Sequence, residues 1–254
     1  MQPTLTIAIR AARAAGRILM RYLDRVDQLH IQAKSQNDFV TEVDRAAEDA
    51  IIHELRAKYP DHAILAEESG AHGKSDFQWV IDPLDGTTNY LHGFPQFSIS
   101  IALRHRGRLE CGIVYDPLRE EMFTAERGGG AQMNDRRIRV ANRLGLEGAL
   151  IGTGFPFRDQ RQLDTYLAMF RTMILNTAGL RRPGSAALDL AYVACGRTDG
   201  FWELGLAEWD MAAGALLINE AGGTVTDLAG GDRYFQTGNI IGGNLKLHRA
   251  LREA

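Results

Sequence analysis

Residues 97–134, FSISIALRHRGRLECGIVYDPLREEMFTAERGGGAQMN, alternate apolar and polar side chains between three turn signals: Arg106-Gly107, Asp116-Pro117 and Gly128-Gly129-Gly130. Period-two alternation broken by turns is a meander of antiparallel strands, and a sheet of that kind must cover its apolar faces with other elements. Upstream, the sequence supplies two such covers. In the first 26 residues Ala8, Ala11, Ala12, Ala15, Ile18, Leu19 and Tyr22 recur at helical spacing, with Arg10, Arg13, Arg17 and Arg21 mostly elsewhere on the wheel. TEVDRAAEDAIIHELRAKYP reads as a second helix, with Thr41 as N-cap and Pro60 just past its end.

After the polar stretch RVANRLGLEG, near residue 145, the pattern changes. GALIGTG reads as a strand, QRQLDTYLAMFRTMIL and SAALDLAYVACG as helices, TDGFWEL as a strand and EWDMAAGALLINEAGG as a helix ended by glycines. In that last helix Trp209, Ala212, Ala213, Leu216 and Leu217 form an inward stripe, with Asp210 at its start. Strands alternating with helices imply a second sheet covered by helices. The expected architecture is α/β (α+β): a layered αβαβα sandwich with an antiparallel or mixed sheet in an N-terminal subdomain, 1–145, and a helix-covered sheet in a C-terminal subdomain, 146–254. No Pro-, Ser- or Gly-rich linker separates the two, so they share one interface, where the site is expected.

Charge excludes little. Lys and Arg number 29 against 32 Asp and Glu, so no general field attracts nucleic acid or anionic membranes, and no direct nucleic-acid binding is expected. No secretory or membrane-spanning run of about 20 apolar residues can be drawn. Cys111 and Cys195 are far apart and read as buried thiols of a reducing compartment, here the cytoplasm.

The chemistry concentrates in WVIDPLDGTTNYLHG, residues 79–93. An apolar run ends in Asp82 and Asp85, and two negative charges in one pocket resist ionising together unless something positive joins them. Pro83 fixes the backbone between the acids, a rigidity that a hard, oxygen-liganded cation such as Mg²⁺ requires, and the Leu84 carbonyl points to the same place. Gly86-Thr87-Thr88 reads as a helix start whose amides suit phosphate. Glu67, Asp82, Asp85 and Asp210 all stand at the ends of apolar segments, which converge in layered folds. The seven histidines show no ligand spacing, and GTGFPF lacks the Gly-Lys-Ser/Thr ending of a nucleotide loop, so it reads as strand plus turn.

EES, WVIDPLDGTTNY and EWDMAAGALLINEAGG resemble the inositol monophosphatase family of Mg²⁺-dependent, lithium-sensitive phosphatases, and RRPGSAALDLAYVACGRTDGF resembles its bacterial, SuhB-type branch. The likeness covers nearly the whole chain. It implies that Glu67, Asp82, Leu84, Asp85 and Asp210 hold two or three Mg²⁺ ions. It also implies that Glu67 and Thr87 position the attacking water, with Asp44 behind Thr87 and Asp82 in the catalytic set. Phosphate would sit on the amides of Gly86 and Thr87. The alcohol part would meet Asp85, Gly184, Ala186, Glu203 and Asp210, with Lys34 near the mouth. Water activated by one ion and a leaving oxygen stabilised by another need no Ser or Cys nucleophile. Myo-inositol 1-phosphate or a similar small polyol phosphate is the expected substrate, favoured by Glu203 and the short loops around GAHGKSDF. Fructose 1,6-bisphosphate and 3′-phosphoadenosine phosphate are the alternatives. Members of the branch also act with Nus factors and RNA polymerase in ribosomal RNA synthesis, a role for which the pairs Arg136-Arg137 and Arg181-Arg182 would offer a surface. A homodimer is expected from the likeness alone.

Overall fold

A computed structural model gives the protein over residues 3–23, 25, 31–35, 38–156 and 160–254; for 31–35, 38–40 and 160 it describes the backbone alone. The chain runs α1 (Pro3–Leu23), the hairpin β1 (Ile31–Ser35) and β2 (Asp38–Thr41), then α2 (Glu42–Arg56). Next come β3 (Ala63–Ala66), β4 (Gly70–His72), β5 (Phe77–Asp85), α3 (Thr87–Leu91) and the meander β6 (Ser98–His105), β7 (Arg108–Asp116), β8 (Glu121–Glu126), β9 (Gly130–Met133) and β10 (Arg136–Arg137). Beyond them lie β11 (Leu150–Thr153), α4 (Leu163–Asn176), β12 (Gly179–Arg181), α5 (Ala186–Ala194), β13 (Gly200–Glu203), α6 (Glu208–Glu220), β14 (Thr224–Thr226), α7 (Tyr234–Thr237), β15 (Ile240–Gly243) and α8 (Leu245–Glu253).

The larger sheet has eight strands in the order β10-β9-β8-β7-β6-β5-β3-β4, all antiparallel except the β3–β5 pair. The smaller has five, β12-β11-β13-β15-β14, parallel around β11 and antiparallel around β15. Alternation along the strands sorts the larger sheet's side chains. Trp79, Ile81, Ile99, Ile101 and Ile113 face α1 and α2, whereas Val80, Ala102, Val114 and Phe123 face α5 and α6. Helices α4 and α8 cover the far face of the smaller sheet. The layers thus run helix, sheet, helix, sheet, helix, as the sequence pattern implies.

The two N-terminal helices follow their sequence signals. Thr41 caps α2, its hydroxyl facing the Val43 and Asp44 amides while the Asp44 carboxylate accepts from the Thr41 N–H at 2.9 Å. The buried stripe of α1 is Leu5, Ala8, Ala11, Ala12, Ala15, Gly16 and Leu19, so the apolar face lies nearer the N-terminus than expected, and Ile18 and Tyr22 are only half-buried.

The central layer departs from expectation. Instead of showing an inward stripe with Trp209, α6 is buried all round from Asp210 to Ile218, because it packs on the larger sheet, the smaller sheet and α5 together. Small side chains make this possible. A Cβ at Gly112 would lie 3.0 Å from the Ala213 Cα, and one at Gly214 would lie 2.4 Å from the Leu190 Cβ. Both thiols are free, Cys111 buried and Cys195 half-buried. No helix of the described residues is long and apolar enough to cross a membrane.

Candidate active site

Where β5 meets α3, local backbone features gather the acids. Residues i and i+3 of a regular strand point to opposite faces, which would separate Asp82 from Asp85. The register instead slips: Asp82 pairs with Ser100 and Asp85 with Ser98, so three steps on β5 match two on β6, and Pro83 lies inside that bulge. The extra residue brings both aspartates to one side. Gly86 follows at φ 92, a left-handed turn in which a Cβ would lie 2.9 Å from the Gln96 carbonyl oxygen. The N-cap of the five-residue α3 is accordingly Gly86.

Asp210 arrives from the other half of the chain. It is the third residue of α6 rather than its N-cap, which is Ala207; its carboxylate accepts from the Ala207 N–H at 2.7 Å and so closes the helix end. Carboxylate oxygens of Asp82, Asp85 and Asp210 lie within 4.8 Å of one another, with Asp82 1%, Asp85 9% and Asp210 7% exposed. Burial pushes the Asp82 carboxyl well above the usual range, and the charges of Glu67, Asp85 and Asp210 add to it. Asp85 is raised to about 6, also mainly by burial. Its rise is held back by two donors on one oxygen, Ser185 Oγ at 2.6 Å and the Ala187 N–H at 2.8 Å. Buried carboxylates crowded in this way suit a divalent cation. The set is all oxygen, with no Cys or His among the described cleft residues, which fits a hard ion such as Mg²⁺ rather than zinc.

The cleft above them measures about 360 Å³. Every expected site residue but Asp44 and Lys34 lines it: Glu67, Asp82, Leu84, Asp85, Gly86, Thr87, Gly184, Ala186, Glu203 and Asp210. Asp44 reaches it through Thr87, whose hydroxyl faces the Asp44 carboxylate at 3.3 Å and the Leu84 carbonyl at 3.1 Å. Burial raises the Asp44 carboxyl as well. The side chain of Lys34 lies outside the described residues.

Several contributors were not singled out in the sequence. Ser185 and Ala187 hold Asp85 by placing it at the start of α5. The Asn89 amide donates to the Gln96 and Pro183 carbonyls at 2.7 and 2.8 Å, joining α3 to the loop before α5. The buried Glu48 accepts from the Glu68 and Ser69 N–H groups, each at 2.9 Å, and so fixes the turn after Glu67. Gly154, Phe155 and Pro156 of the GTGFPF stretch, read as strand plus turn, form cleft wall. Arg182, expected on a protein-facing surface, lies over the Phe155 ring at 4.9 Å and lines the cleft. A Ser at a helix start and an Asn after Thr-Thr are weak signals alone; the signal that could have found them is their distance from the acids, which folding sets.

The model of the inositol monophosphatase family matches residues 1–254. The chain is 56% identical over 257 residues to the Nus factor SuhB of Pseudomonas aeruginosa, covering 99% of this chain and 95% of the relative. It is similar in structure to the extragenic suppressor protein suhB of Bartonella henselae, with a TM-score of 0.96 and 46% identity over 99% of this chain and 98% of the other. It is also similar to an inositol monophosphatase from Anabaena, with a TM-score of 0.88 and 41% identity over 98% and 93%.

Proposed function

The chain belongs to the inositol monophosphatase family, and on that premise we propose that it is a Mg²⁺-dependent phosphate monoester hydrolase acting on myo-inositol 1-phosphate or a similar small polyol phosphate. The observation that carries this reading is the buried trio Asp82, Asp85 and Asp210 at the floor of the cleft. Together with Glu67 and the Leu84 carbonyl, these residues would hold the ions. Bound Mg²⁺ supplies Lewis acidity, acidifying water and offsetting charge that develops on the phosphoryl and leaving oxygens.

The chain's own residues supply position. Thr87 has one hydroxyl hydrogen and two acceptors in reach, Asp44 and the Leu84 carbonyl. Were the Leu84 carbonyl to serve a cation, that hydrogen would go to Asp44, and the Thr87 oxygen would offer a lone pair to orient the attacking water alongside Glu67. The Gly86 and Thr87 amides would seat the phosphate. The alcohol would meet Asp85, Asp210, the Gly184 and Ala186 backbone, and the Glu203 carboxylate, which accepts from sugar or inositol hydroxyls. The two subdomains, 1–145 and 146–254, would then contribute chiefly the ion-binding and alcohol-binding sides respectively, with Asp210 also holding an ion and Asp85 also meeting the alcohol.

Phosphate release from myo-inositol 1-phosphate with Mg²⁺, with EDTA and with added lithium tests the reading, alongside fructose 1,6-bisphosphate and 3′-phosphoadenosine 5′-phosphate. Release that needs Mg²⁺, falls with lithium and ranks the inositol ester first is expected. Release that is unaffected by EDTA would contradict it.

The name of the Pseudomonas aeruginosa relative, Nus factor SuhB, favours a second role in which the protein, as a homodimer, binds Nus antitermination factors or RNA polymerase in the cytoplasm. Arg136 and Arg137, exposed on the edge strand β10, offer a surface for it. Capture of those partners that survives Asp85→Asn is the expected result for such a role; capture lost with turnover would tie it to the catalytic cleft instead.

A further inference from the structure

Part of the cleft wall is built by the ends of two parallel neighbours, β11 and β13. Their register ends with Thr153 opposite Trp202, and Gly154 and Glu203 are the residues that follow. Side chains of adjacent strands ordinarily stand away from the sheet rather than across a neighbour's backbone. Glu203 does otherwise. A Cβ built at Gly154 would fall on its carboxyl group, 2.0 Å from Cδ and 2.3 Å from Oε2. The carboxylate therefore lies across the Gly154 Cα, in the volume that any other residue would fill. Gly154 is not among the glycines of positive φ, so its backbone conformation is open to other residues. What requires glycine here is the space.

The residue beside the seat is held by aromatic contacts. Phe155, the next residue, is fixed edge-on to Tyr166 at 5.7 Å and to Phe170 at 6.3 Å, with the Arg182 guanidinium over its face. Displaced from Gly154, the Glu203 carboxylate would move into the cleft that both residues line.

We propose that Gly154 is a specificity-determining position: by lacking a side chain it lets Glu203 lie flat against β11, which keeps the cleft wide enough for a six-membered polyol ring while presenting the carboxylate to its hydroxyls. The inference deepens the polyol-phosphatase reading above and rests on it. Gly154 is a positioning residue that acts through Glu203, and this gives the test its form.

The experiment is a double-mutant cycle with Gly154→Ala, Glu203→Ala and the double variant, read as the ratio of kcat/KM for myo-inositol 1-phosphate to that for glycerol 2-phosphate, which has no ring. Gly154→Ala is expected to lower the ratio about ten-fold, chiefly through KM of the ring substrate, as a few misplaced polar contacts do. In the Glu203→Ala background, where the seat is vacant, the same substitution should change the ratio by less than about two-fold, because residues that act through one another do not add. An unchanged ratio in Gly154→Ala, or an effect that adds in full to that of Glu203→Ala, would overturn the inference while leaving the phosphatase reading standing. No ratio change in Glu203→Ala would sink that residue's role and this inference with it. The rise in Tm on adding Mg²⁺, measured for each variant, reports the acid floor independently. Gly154→Ala losing that rise would show that the residue supports the fold rather than Glu203, and would also overturn the proposal.

Discussion

Asp85 stands between two environments, and its behaviour follows from both. Toward the cleft it shares space with Asp82 and Asp210; away from it, Ser185 and the Ala187 amide donate to one oxygen and favour the charged form. Burial wins, leaving the carboxyl at about 6. Removing a donor to the carboxylate moves the balance further in the same direction. Ser185→Ala is therefore expected to raise the Asp85 pKa and to shift the pH dependence of Mg²⁺ affinity, followed by calorimetry, toward alkaline pH. A profile unchanged or shifted toward acid would refute the assignment of Ser185 as the group that keeps Asp85 ready for a cation. At this scale the sequence was legible where the acids themselves stand, in DPLDG, EES and EWD. It was silent on Ser185, Asn89 and Glu48, whose partners lie 100, 94 and 20 residues away.

Among the elements, those with one buried face were the readable ones. The α1 stripe, the Thr41 cap of α2 and the β6–β9 meander each carry a period or a cap that records which side meets the core. Helix α6 carries no such record, because a helix buried on every side has no polar face to set against an apolar one. Its sequence looked one-sided only because Trp209 and the leucines are large. The β5 bulge was equally hidden; Pro83 marked an irregularity but not the slip in register that turns Asp82 and Asp85 to one side. The tight fit of the central layer gives an element-scale prediction. Gly214→Ala places a methyl group 2.4 Å from the Leu190 Cβ, and the repacking of α5 against α6 should cost about 1–3 kcal/mol. Urea unfolding checks this, since the midpoint should fall while the slope is kept. An unchanged midpoint would mean that the two helices part without loss.

For the molecule as a whole, the acid floor is a charge stored at the meeting of its two halves. The carboxyls of Asp44, Asp82 and Asp85 are all raised in the folded protein. The folded state then holds more protons than the unfolded one between the free carboxylate value, about 4, and the raised values, about 6 for Asp85. By linkage, the contribution of Asp85 to the stability of the metal-free protein is full below about pH 4 and is lost as pH rises through about 6, and those of Asp44 and Asp82 are likewise lost as pH rises. A divalent cation that binds the ionised acids reverses the trend, so the rise in Tm produced by Mg²⁺ should be larger at pH 8 than at pH 5. An equal or smaller rise at pH 8, by differential scanning fluorimetry, would contradict a cation site built from these carboxylates.

The layered plan that brings the β5 tip and the α6 start together was readable from the change of pattern near residue 145, whereas the fit of Glu203 over Gly154 is set only by the folded chain. Everything functional in this account depends on the three aspartates acting as one cation site for ester hydrolysis. The direct measurement is phosphate release from myo-inositol 1-phosphate over a Mg²⁺ titration, native protein against Asp85→Asn. Saturable, Mg²⁺-dependent release by the native protein is expected, with a loss of at least about a hundred-fold in the variant, since removing even an outer support of a metal site costs about 10–100-fold. Equal release by the two proteins across the titration would contradict it.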